Sequence, residues 1–293
     1  MTYPISVNIC TYNEQDNIGD CIRAIQKNKP AEILVIDGGS TDQTIEMAES
    51  LGAMVIRLNQ KGLASQRQAG IEASGQEFIA IVDADDRLDE NCLPALYREL
   101  VDLNLDAIQA LNKPLEIRTY WQRAMASTLV VEEPLPRPSI MVGRPALYRA
   151  ASLKAVGFDP FFNGAGAEDA DLARAFQLRG FQQAIGTGVS YRKHETTLRD
   201  HRNKWKKYGR GDARFVFKYP ERKSRIFRHL LITYPFLRPL QAIKRGEWQY
   251  VPFHMLTGLC RFMHFWPEYL KLRKKYTNYS RWRQHAYSMI STT

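Results

Sequence analysis

The stretch Phe78-Ile79-Ala80-Ile81-Val82-Asp83-Ala84-Asp85-Asp86 runs from an uninterrupted apolar segment straight into three carboxylates. Five consecutive apolar residues are typical of a strand that is buried on both faces, as in a parallel sheet. Asp83 and Asp85 stand two positions apart, so in an extended chain their side chains point to the same side. We therefore predict a buried strand that ends in a pair of carboxylates.

Three other stretches place polar residues at the end of a strand or the start of a helix. They are Thr11-Tyr12-Asn13-Glu14, Asp37-Gly38-Gly39-Ser40-Thr41-Asp42 and Gly166-Ala167-Glu168-Asp169. Strand-like and helix-like segments alternate between them, which predicts an α/β fold with a mostly parallel, Rossmann-like central sheet and helices on both faces. An open sheet of this kind binds its ligand at the carboxyl ends of its strands.

An edge this acidic repels phosphate groups, and its carboxylates repel one another. Mg²⁺ or Mn²⁺ bound by Asp83 and Asp85 would relieve both repulsions and leave coordination positions for phosphate oxygens. The alternative is a turn that is merely rich in aspartate, since Asp favours turns and caps. Glu168 and Asp169 allow two interpretations as well, because a helix start favours acidic residues whether or not one of them acts as a general base.

Charge divides the 293 residues into two parts. Residues 1–189 carry a net charge of −8, whereas residues 190–293 carry +18, within a total of +10. We predict a catalytic domain over residues 1–200 and a basic, aromatic-rich, mainly helical extension over residues 201–293. A basic segment of this size favours an anionic partner.

The basic part of the chain, which begins at residue 190 and includes the extension, interleaves cations with aromatic residues, a composition that favours an anionic membrane surface. Its first cluster comprises Arg192, Lys193, Arg199, Arg202, Lys204, Lys206, Lys207 and Arg210, and its second comprises Lys271, Arg273, Lys274, Lys275, Arg281 and Arg283. Its apolar runs are shorter than the roughly 20 residues that a spanning helix needs, so we expect the extension to lie on a membrane without crossing it. No nucleic-acid recognition motif accompanies the charge, so no nucleic-acid partner is expected.

Four scattered cysteines without a Cys-x-x-Cys pair argue against a zinc site or a disulfide framework and favour a reducing compartment. The chain opens on a strand-like segment without a basic and apolar leader, so we expect no signal peptide. These features predict a cytoplasmic protein that is peripheral on the cytoplasmic face of a membrane.

The order and spacing of these motifs resemble the inverting family 2 glycosyltransferases, which have the GT-A fold. The landmarks are Thr11-Tyr12-Asn13-Glu14 with Asn17-Ile18, the stretch Val35 to Thr44, Gly62 to Ile71 with Arg67, Asp83-Ala84-Asp85-Asp86, Val156-Gly157-Phe158-Asp159, and Glu168-Asp169-Ala170-Asp171-Leu172. They cover about two thirds of the chain. Two departures stand out: Gly38 occupies the place of a second aspartate, and Gln68 the place of an asparagine.

The resemblance implies a role for each matching residue. Those that would bind the nucleotide sugar are Thr11, Asn13, Glu14, Asp37, Arg67, Asp83 and Ala84. Asp85, Asp83 and His194 would ligate Mn²⁺ or Mg²⁺. Asp169, with Glu168 beside it, would be the catalytic base that deprotonates the acceptor hydroxyl.

The implied reaction transfers a hexose from a nucleotide-diphosphate sugar to a glycan or a lipid-linked acceptor in cell-envelope polysaccharide or glycolipid synthesis. Two alternatives remain. One is a catalytically silent glycan- or membrane-binding module on a transferase fold. The other is a sugar-phosphate nucleotidyltransferase, although residues 11–19 lack the Gly-rich, Arg-bearing loop that this class uses. A dinucleotide-dependent oxidoreductase is disfavoured because no Gly-x-Gly-x-x-Gly follows the first strand.

Overall fold

The computed structural model describes residues 2–58, 62–129, 135–140, 143 and 145–283, which form two compact units. Unit 1 comprises Met1–Asn163 and Glu168–His194, and unit 2 comprises Gly164–Ala167 and Glu195–Thr293. The chain therefore passes into unit 2 after His194, a few residues before the boundary proposed from the sequence. The short segment Gly164–Ala167 also belongs to unit 2, which no sequence pattern indicates.

Unit 1 alternates strands and helices. Its strands are β1 (Tyr3–Thr11), β2 (Pro30–Asp37), β3 (Met54–Arg57), β4 (Phe78–Asp83), β5 (Asp86–Leu88), β6 (Ala107–Pro114), β7 (Arg137–Pro138), β8 (Ala146–Arg149) and β9 (Gln183–Arg192). Its helices are α1 (Gln15–Lys27), α2 (Thr44–Ser50), α3 (Leu63–Ala73), α4 (Cys92–Asp102), α5 (Tyr120–Ala126), α6 (Ala150–Val156) and α7 (Glu168–Leu178).

The described strands form one sheet in the order β3-β2-β1-β4-β8-β6-β9-β5, with β7 paired to β9. The longer pairings, of β1 with β2 and β4 and of β6 with β9, are parallel. The pairings of β8, β5 and β7 are antiparallel and short. The predicted mixed α/β fold with a mostly parallel sheet is confirmed, and the carboxyl ends of β1, β2 and β4 lie side by side.

Strand β4 shows how the sheet is covered. Phe78, Ala80 and Val82 belong to an apolar cluster that includes residues of α1 and α4. Ile79 and Ile81 belong to a second cluster, with residues of α3, α6 and α7. Because successive strand residues point to opposite faces, these memberships show that helices cover both sides of the sheet.

Unit 2 is helical, which confirms the predicted character of the C-terminal region. Its longer elements are α8 (Leu198–Lys218), α9 (Lys223–Arg228), a π-helical segment (His229–Leu237), α10 (Arg238–Lys244) and α11 (Val251–Lys275). A small core of Ala213, Val216, Leu230 and Phe265 joins α8, the π-helical segment and α11. Across the described part of the chain, no helix combines the length and the apolar character needed to span a membrane.

Candidate active site

The ends of β1, β2 and β4 bring the first polar groups of the site together. In the sheet register Thr11 pairs with Asp37, and its neighbour Cys10 pairs with Asp83. Parallel strands end at the same edge, so Asp37 and Asp83 flank the end of β1 from opposite sides. This edge is the place where the sequence predicts ligand binding.

Asp37 organises the loop that follows β2. One carboxylate oxygen accepts hydrogen bonds from the backbone N–H groups of Gly39 and Ser40, both at 2.8 Å, and the other accepts from the Thr11 hydroxyl at 3.0 Å. The Asp37 side chain is fully buried. Its contacts join two strand ends and shape the loop, so its influence on a nucleotide would pass through that loop.

Asn13 and Glu14 continue the same edge beyond β1. The Asn13 side-chain oxygen accepts from the Thr41 N–H at 2.9 Å, and the Glu14 N–H donates to the Thr44 hydroxyl at 2.7 Å. Burial raises the pKa of the Glu14 carboxyl, and the negative charges of Asp85 and Asp83 add to the increase. Glu14 therefore lies within electrostatic reach of the aspartates after β4.

Those aspartates form one carboxylate cluster. Asp83, Asp85 and Asp86 each offer an oxygen, and these oxygens lie within 4.8 Å of one another. Asp86 is fully buried, and Arg192 binds both of its oxygens, with Nε at 2.8 Å and Nη2 at 2.7 Å. Burial raises the Asp86 pKa to about 6, against the opposing charge of Arg192.

Arg67 connects this cluster to the start of α7. One guanidinium nitrogen donates to Glu168 at 2.8 Å and to Asp169 at 3.1 Å, and the other donates to Asp83 at 3.2 Å. Its side chain is only 1% exposed. Burial disfavours the charge of Arg67, but Glu168 and Asp83 outweigh burial and raise its pKa. Three predicted site carboxylates thus converge on one buried cation.

The hydrogen bonds of Arg67 go to these carboxylates, and its contact with a nucleotide stays a prediction. Ala84 is buried beside the cluster, and its carbonyl accepts from Arg87 at 3.2 Å. His194 follows β9 and is also buried, but it does not belong to the carboxylate cluster of the described residues. The structure therefore collects Asp83, Asp85, Glu168 and Asp169 around Arg67 and Asp86, and leaves His194 outside that group.

Arg192 corrects one part of the sequence interpretation. Its position in the sequence groups it with the cations of a membrane-binding tail, yet it lies at the end of β9 in unit 1. Its guanidinium also donates to Asp83 at 3.0 Å, and the carboxylates raise its pKa despite its burial. The β5–β9 register pairs Asp86 with Arg192, a long-range relation that the local sequence does not reveal.

Gln66 is a second residue that the motifs leave out. Its buried side-chain amide donates to the carbonyls of Thr11 and Ile36, both at 2.9 Å, and so ties the ends of β1 and β2 together. A Cβ at Gly38 would approach this amide to 3.0 Å. Gln66 therefore occupies the space that a longer side chain at position 38 would need, which accounts for the glycine there.

The donor set suits a hard divalent cation. Mg²⁺ and Mn²⁺ prefer carboxylate oxygens, which is what Asp83 and Asp85 offer. Asp86 is held by Arg192 and so fixes the turn that carries the other two. The residues present therefore fit a metal site built on Asp83 and Asp85.

Comparison with known proteins identifies the family. Residues 6–156 match the family described as "Glycosyl transferase family 2", which is more than half of the chain. The chain belongs to this family. The predicted resemblance is thereby confirmed at the level of the family.

Curated relatives of this family 2 chain include proteins named as glycosyltransferases. It is 30% identical over 116 residues to glycosyltransferase GlyG of Streptococcus pneumoniae serotype 4, covering 37% of this chain and 38% of that protein. It is 32% identical over 108 residues to protein RfbJ of Shigella flexneri (36% and 84%). It is 35% identical over 103 residues to the lipopolysaccharide core biosynthesis glycosyltransferase LpsC of Rhizobium meliloti (33% and 37%). The chain thus spans little more than a third of the length of GlyG.

Solved structures show the same fold. TarS 1–349 of S. aureus in complex with UDP-GlcNAc superposes with a TM-score of 0.57 at 16% identity, covering 94% of this chain and 92% of that one. Glucosyl-3-phosphoglycerate synthase of Mycobacterium tuberculosis, in complex with Mn²⁺, UDP and glucosyl-3-phosphoglycerate, superposes with a TM-score of 0.52 at 18% identity, covering 72% and 78%. At these identities the likeness extends to the GT-A fold alone.

Proposed function

We propose that the protein is a metal-dependent inverting glycosyltransferase that moves a hexose from a nucleotide-diphosphate sugar to an acceptor hydroxyl. The observation that carries the proposal is the convergence of Asp83 and Asp169 on the single guanidinium of Arg67. Asp83 and Asp169 are 86 positions apart in the sequence. A transferase needs these two carboxylates close together, because Asp83 acts at the departing diphosphate and Asp169 at the acceptor.

Asp169 is the proposed general base. It stands in the first turn of α7 with 21% of its side chain exposed, whereas Glu168 beside it is 8% exposed. The more accessible carboxylate can receive a proton, and the bound Arg67 holds both in a defined orientation. Asp169 takes the proton of the acceptor hydroxyl. The oxygen then attacks the anomeric carbon from the face opposite the nucleotide, so the bond to the diphosphate breaks and the configuration inverts.

The metal proposal rests on Asp83 and Asp85. Mn²⁺ or Mg²⁺ held by these carboxylates would supply positive charge for the diphosphate leaving group. The complex of the mycobacterial synthase with Mn²⁺ and UDP supports this choice of cofactor. A role for His194 as a further ligand stays a prediction.

The donor site is proposed at the loops after β1 and β2. Thr11 and Asp37 end the two strands, and Asn13 and Glu14 follow β1. Hydrogen bonds join these residues across the two strand ends and the loops that follow. This preorganised edge suits the base and ribose of a nucleotide. The UDP-GlcNAc bound to TarS supports a nucleotide-diphosphate sugar as the donor class.

The acceptor is proposed to be a glycan or a lipid-linked saccharide of the cell envelope. The role of LpsC in lipopolysaccharide core biosynthesis, which its name states, supports this assignment. The basic unit 2 supports a place of action at an anionic membrane surface, on the cytoplasmic face.

Incubation of the full chain with a panel of nucleotide-diphosphate sugars, with Mn²⁺, Mg²⁺ or EDTA, tests the proposal. We expect slow release of the nucleoside diphosphate from one donor, stimulated by metal and abolished by EDTA. The anomeric configuration of a transferred sugar, read by NMR, tests inversion. A chain that binds sugars or vesicles but turns over no donor would instead be the silent module. Release of pyrophosphate from a nucleoside triphosphate and a sugar phosphate would indicate the nucleotidyltransferase.

A further inference from the structure

Helix α11 exposes a row of apolar side chains. Its apolar residues Met255, Leu259, Met263 and Leu270 are each more than half exposed, and Trp266 is 36% exposed. They recur at intervals of three and four residues, which places them along one helix face. We name these five residues the apolar stripe.

The opposite face of α11 buries polar residues, namely His254, Thr257, Arg261 and Glu268. Arg261 binds both oxygens of Asp212, at 2.6 and 2.8 Å, and Glu268 accepts from Arg214 at 2.7 Å. These pairs, together with the buried Phe265, tie α11 to α8, while Met255, Leu259, Met263 and Leu270 stay more than half exposed. An exposed apolar face is costly in water and indicates an apolar surrounding.

The segment that precedes α11 adds to this surface. The π-helical segment and α10 expose Leu231, Ile232, Phe236, Leu240 and Ile243, each by 46% or more. Both elements pack against α11. Protein surfaces normally carry exposed apolar residues singly. The number of exposed aliphatic and aromatic side chains here is larger than that pattern explains.

A basic groove opens between α8 and α11, with a volume of about 520 Å³. Arg199, Arg202 and Lys206 line it from one face of α8, and Met263 of the apolar stripe lines it from α11, next to His264. Within the described residues these three cations form no ion pair, whereas Lys204 nearby is paired with Glu195 at 2.8 Å. Their charge is therefore available to an anion from outside the chain.

We propose that unit 2 binds the surface of an anionic phospholipid bilayer. The basic groove takes lipid phosphate headgroups, and the apolar stripe enters the boundary between headgroups and acyl chains. The shared residue Met263 places the two features next to each other, as an amphiphile requires. Charge complementarity selects an anionic lipid, and the apolar stripe selects a bilayer over a soluble phosphate or a nucleic acid. The proposal rests on the membrane-surface part of the proposed function and deepens it. Vesicle binding and sugar transfer are measured separately, so either can fail without the other.

Flotation of the full chain with vesicles tests this surface. We compare pure phosphatidylcholine with phosphatidylcholine containing phosphatidylglycerol, at low and high salt. We expect binding to the anionic vesicles, and little binding to the neutral ones. Equal binding to both vesicle types, or no binding to either, would overturn the proposal.

Two double variants separate the groove from the stripe. Arg202→Gln with Lys206→Gln removes two groove cations and should weaken vesicle binding by about 30-fold, with a smaller salt dependence. Met255→Ser with Leu259→Ser removes apolar contacts of the stripe without changing a residue of the groove, and should weaken binding by about tenfold or more, at high salt as well as low. A thermal melt unchanged from that of the parent chain shows that each variant is folded.

Matched controls come from unit 1. Met54→Ser with Leu178→Ser changes side chains that are as exposed as those of the stripe, at 60% and 59%, and Lys27→Gln with Lys29→Gln removes two exposed cations. Both should leave binding unchanged. Loss of binding with the controls alone would overturn the proposal, as would full competition by inorganic phosphate or by single-stranded DNA. A dimer in sedimentation that only the stripe variant dissociates would overturn it too, by assigning the stripe to a second copy of the chain.

Discussion

Unit 1 and unit 2 differ in whether their cationic side chains are paired with carboxylates. At the strand ends of unit 1, Arg67 is buried and Arg192 is only 19% exposed, and carboxylates bind each of them. On unit 2, Arg199, Arg202 and Lys206 stand exposed around a groove, without an ion pair to any described residue. Buried pairs hold a fixed geometry because breaking one leaves a charge without solvent or partner. Exposed cations cost little to leave unmatched and remain available to an outside anion.

The two units also differ in how far their apolar side chains are exposed. In unit 1, Ile79 and Ile81 are covered by helices, and the polar groups gather at the strand ends. In unit 2, α11 turns Arg261 and Glu268 inwards and Leu259 and Met263 outwards. The first arrangement suits a preorganised site in water, and the second suits a boundary between water and lipid. Three substitutions and a change of pH test this difference.

Asp169→Asn should have the largest effect. Loss of the proton acceptor removes general-base catalysis, which is worth roughly 10²- to 10⁴-fold, while nucleotide binding stays nearly intact. Transfer rates and calorimetric titration with the nucleoside diphosphate measure the two properties. Glu168→Gln should cost less, and Asp102→Asn, which changes an exposed residue at the end of α4, should cost nothing. Strong residual transfer after Asp169→Asn would refute the base assignment.

Arg67→Met should destabilise unit 1, because it leaves Asp83, Glu168 and Asp169 without their shared cation. Removal of one partner from a buried ion pair costs about 3–5 kcal/mol. Chemical denaturation measures this loss, and transfer should fall with it. Arg57→Met is the matched control, because Arg57 pairs with Glu49 on the surface, where such a pair is worth about 0–1 kcal/mol. Equal losses for the two variants would contradict the structural role of Arg67.

Gly211→Ala should disturb the loop that leads into α7. A Cβ at Gly211 would overlap the carbonyl oxygen of Gly166, and the loop is held on α8 by the Gly166 N–H, which donates to the Lys207 carbonyl at 3.0 Å. Overpacking of this kind costs about 1–3 kcal/mol, and the displaced loop continues directly into Glu168.

The measurement for Gly211→Ala is the thermal melt together with the transfer rate, and both should fall. Gly75→Ala is the control, because its added Cβ would meet its nearest neighbour at an ordinary 3.8 Å. A Gly211→Ala chain with the stability and the rate of the parent would show that the loop tolerates the shift.

Acidification should have the smallest of these effects, and it should lower the stability of unit 2. Burial lowers the pKa values of His201, His229 and His254 to about 4, from an ordinary value of 6.5. Between pH 6.5 and 4 the unfolded chain therefore binds more protons than the folded one, so the stability of unit 2 falls as the pH falls through this window. Four of the five tryptophans lie in unit 2, so denaturation followed by tryptophan fluorescence reports on it. An unfolding midpoint that stays constant or rises on acidification would contradict the prediction.

Much of unit 1 follows from local patterns. Strand β4 carries the expected aspartates at its end. Asp83, Asp85, Glu168 and Asp169 do reach one site. The prediction missed the pairing of Asp86 with Arg192, because their contact joins residues 106 positions apart through a strand register. It also missed Gln66, whose role depends on the neighbouring strand ends.

The sequence by itself determined the α/β alternation, the acidic strand ends and the basic C-terminal region, because these depend on periodicity and composition over short distances. The tertiary structure decided which cation faces which carboxylate, and it removed Arg192 from the basic surface. It also decided that α11 turns Leu259 and Met263 outwards and Phe265 inwards. Hydrophobic periodicity reveals that a helix has two faces, but the packing of Phe265 and Arg261 against α8 shows which of them the protein buries.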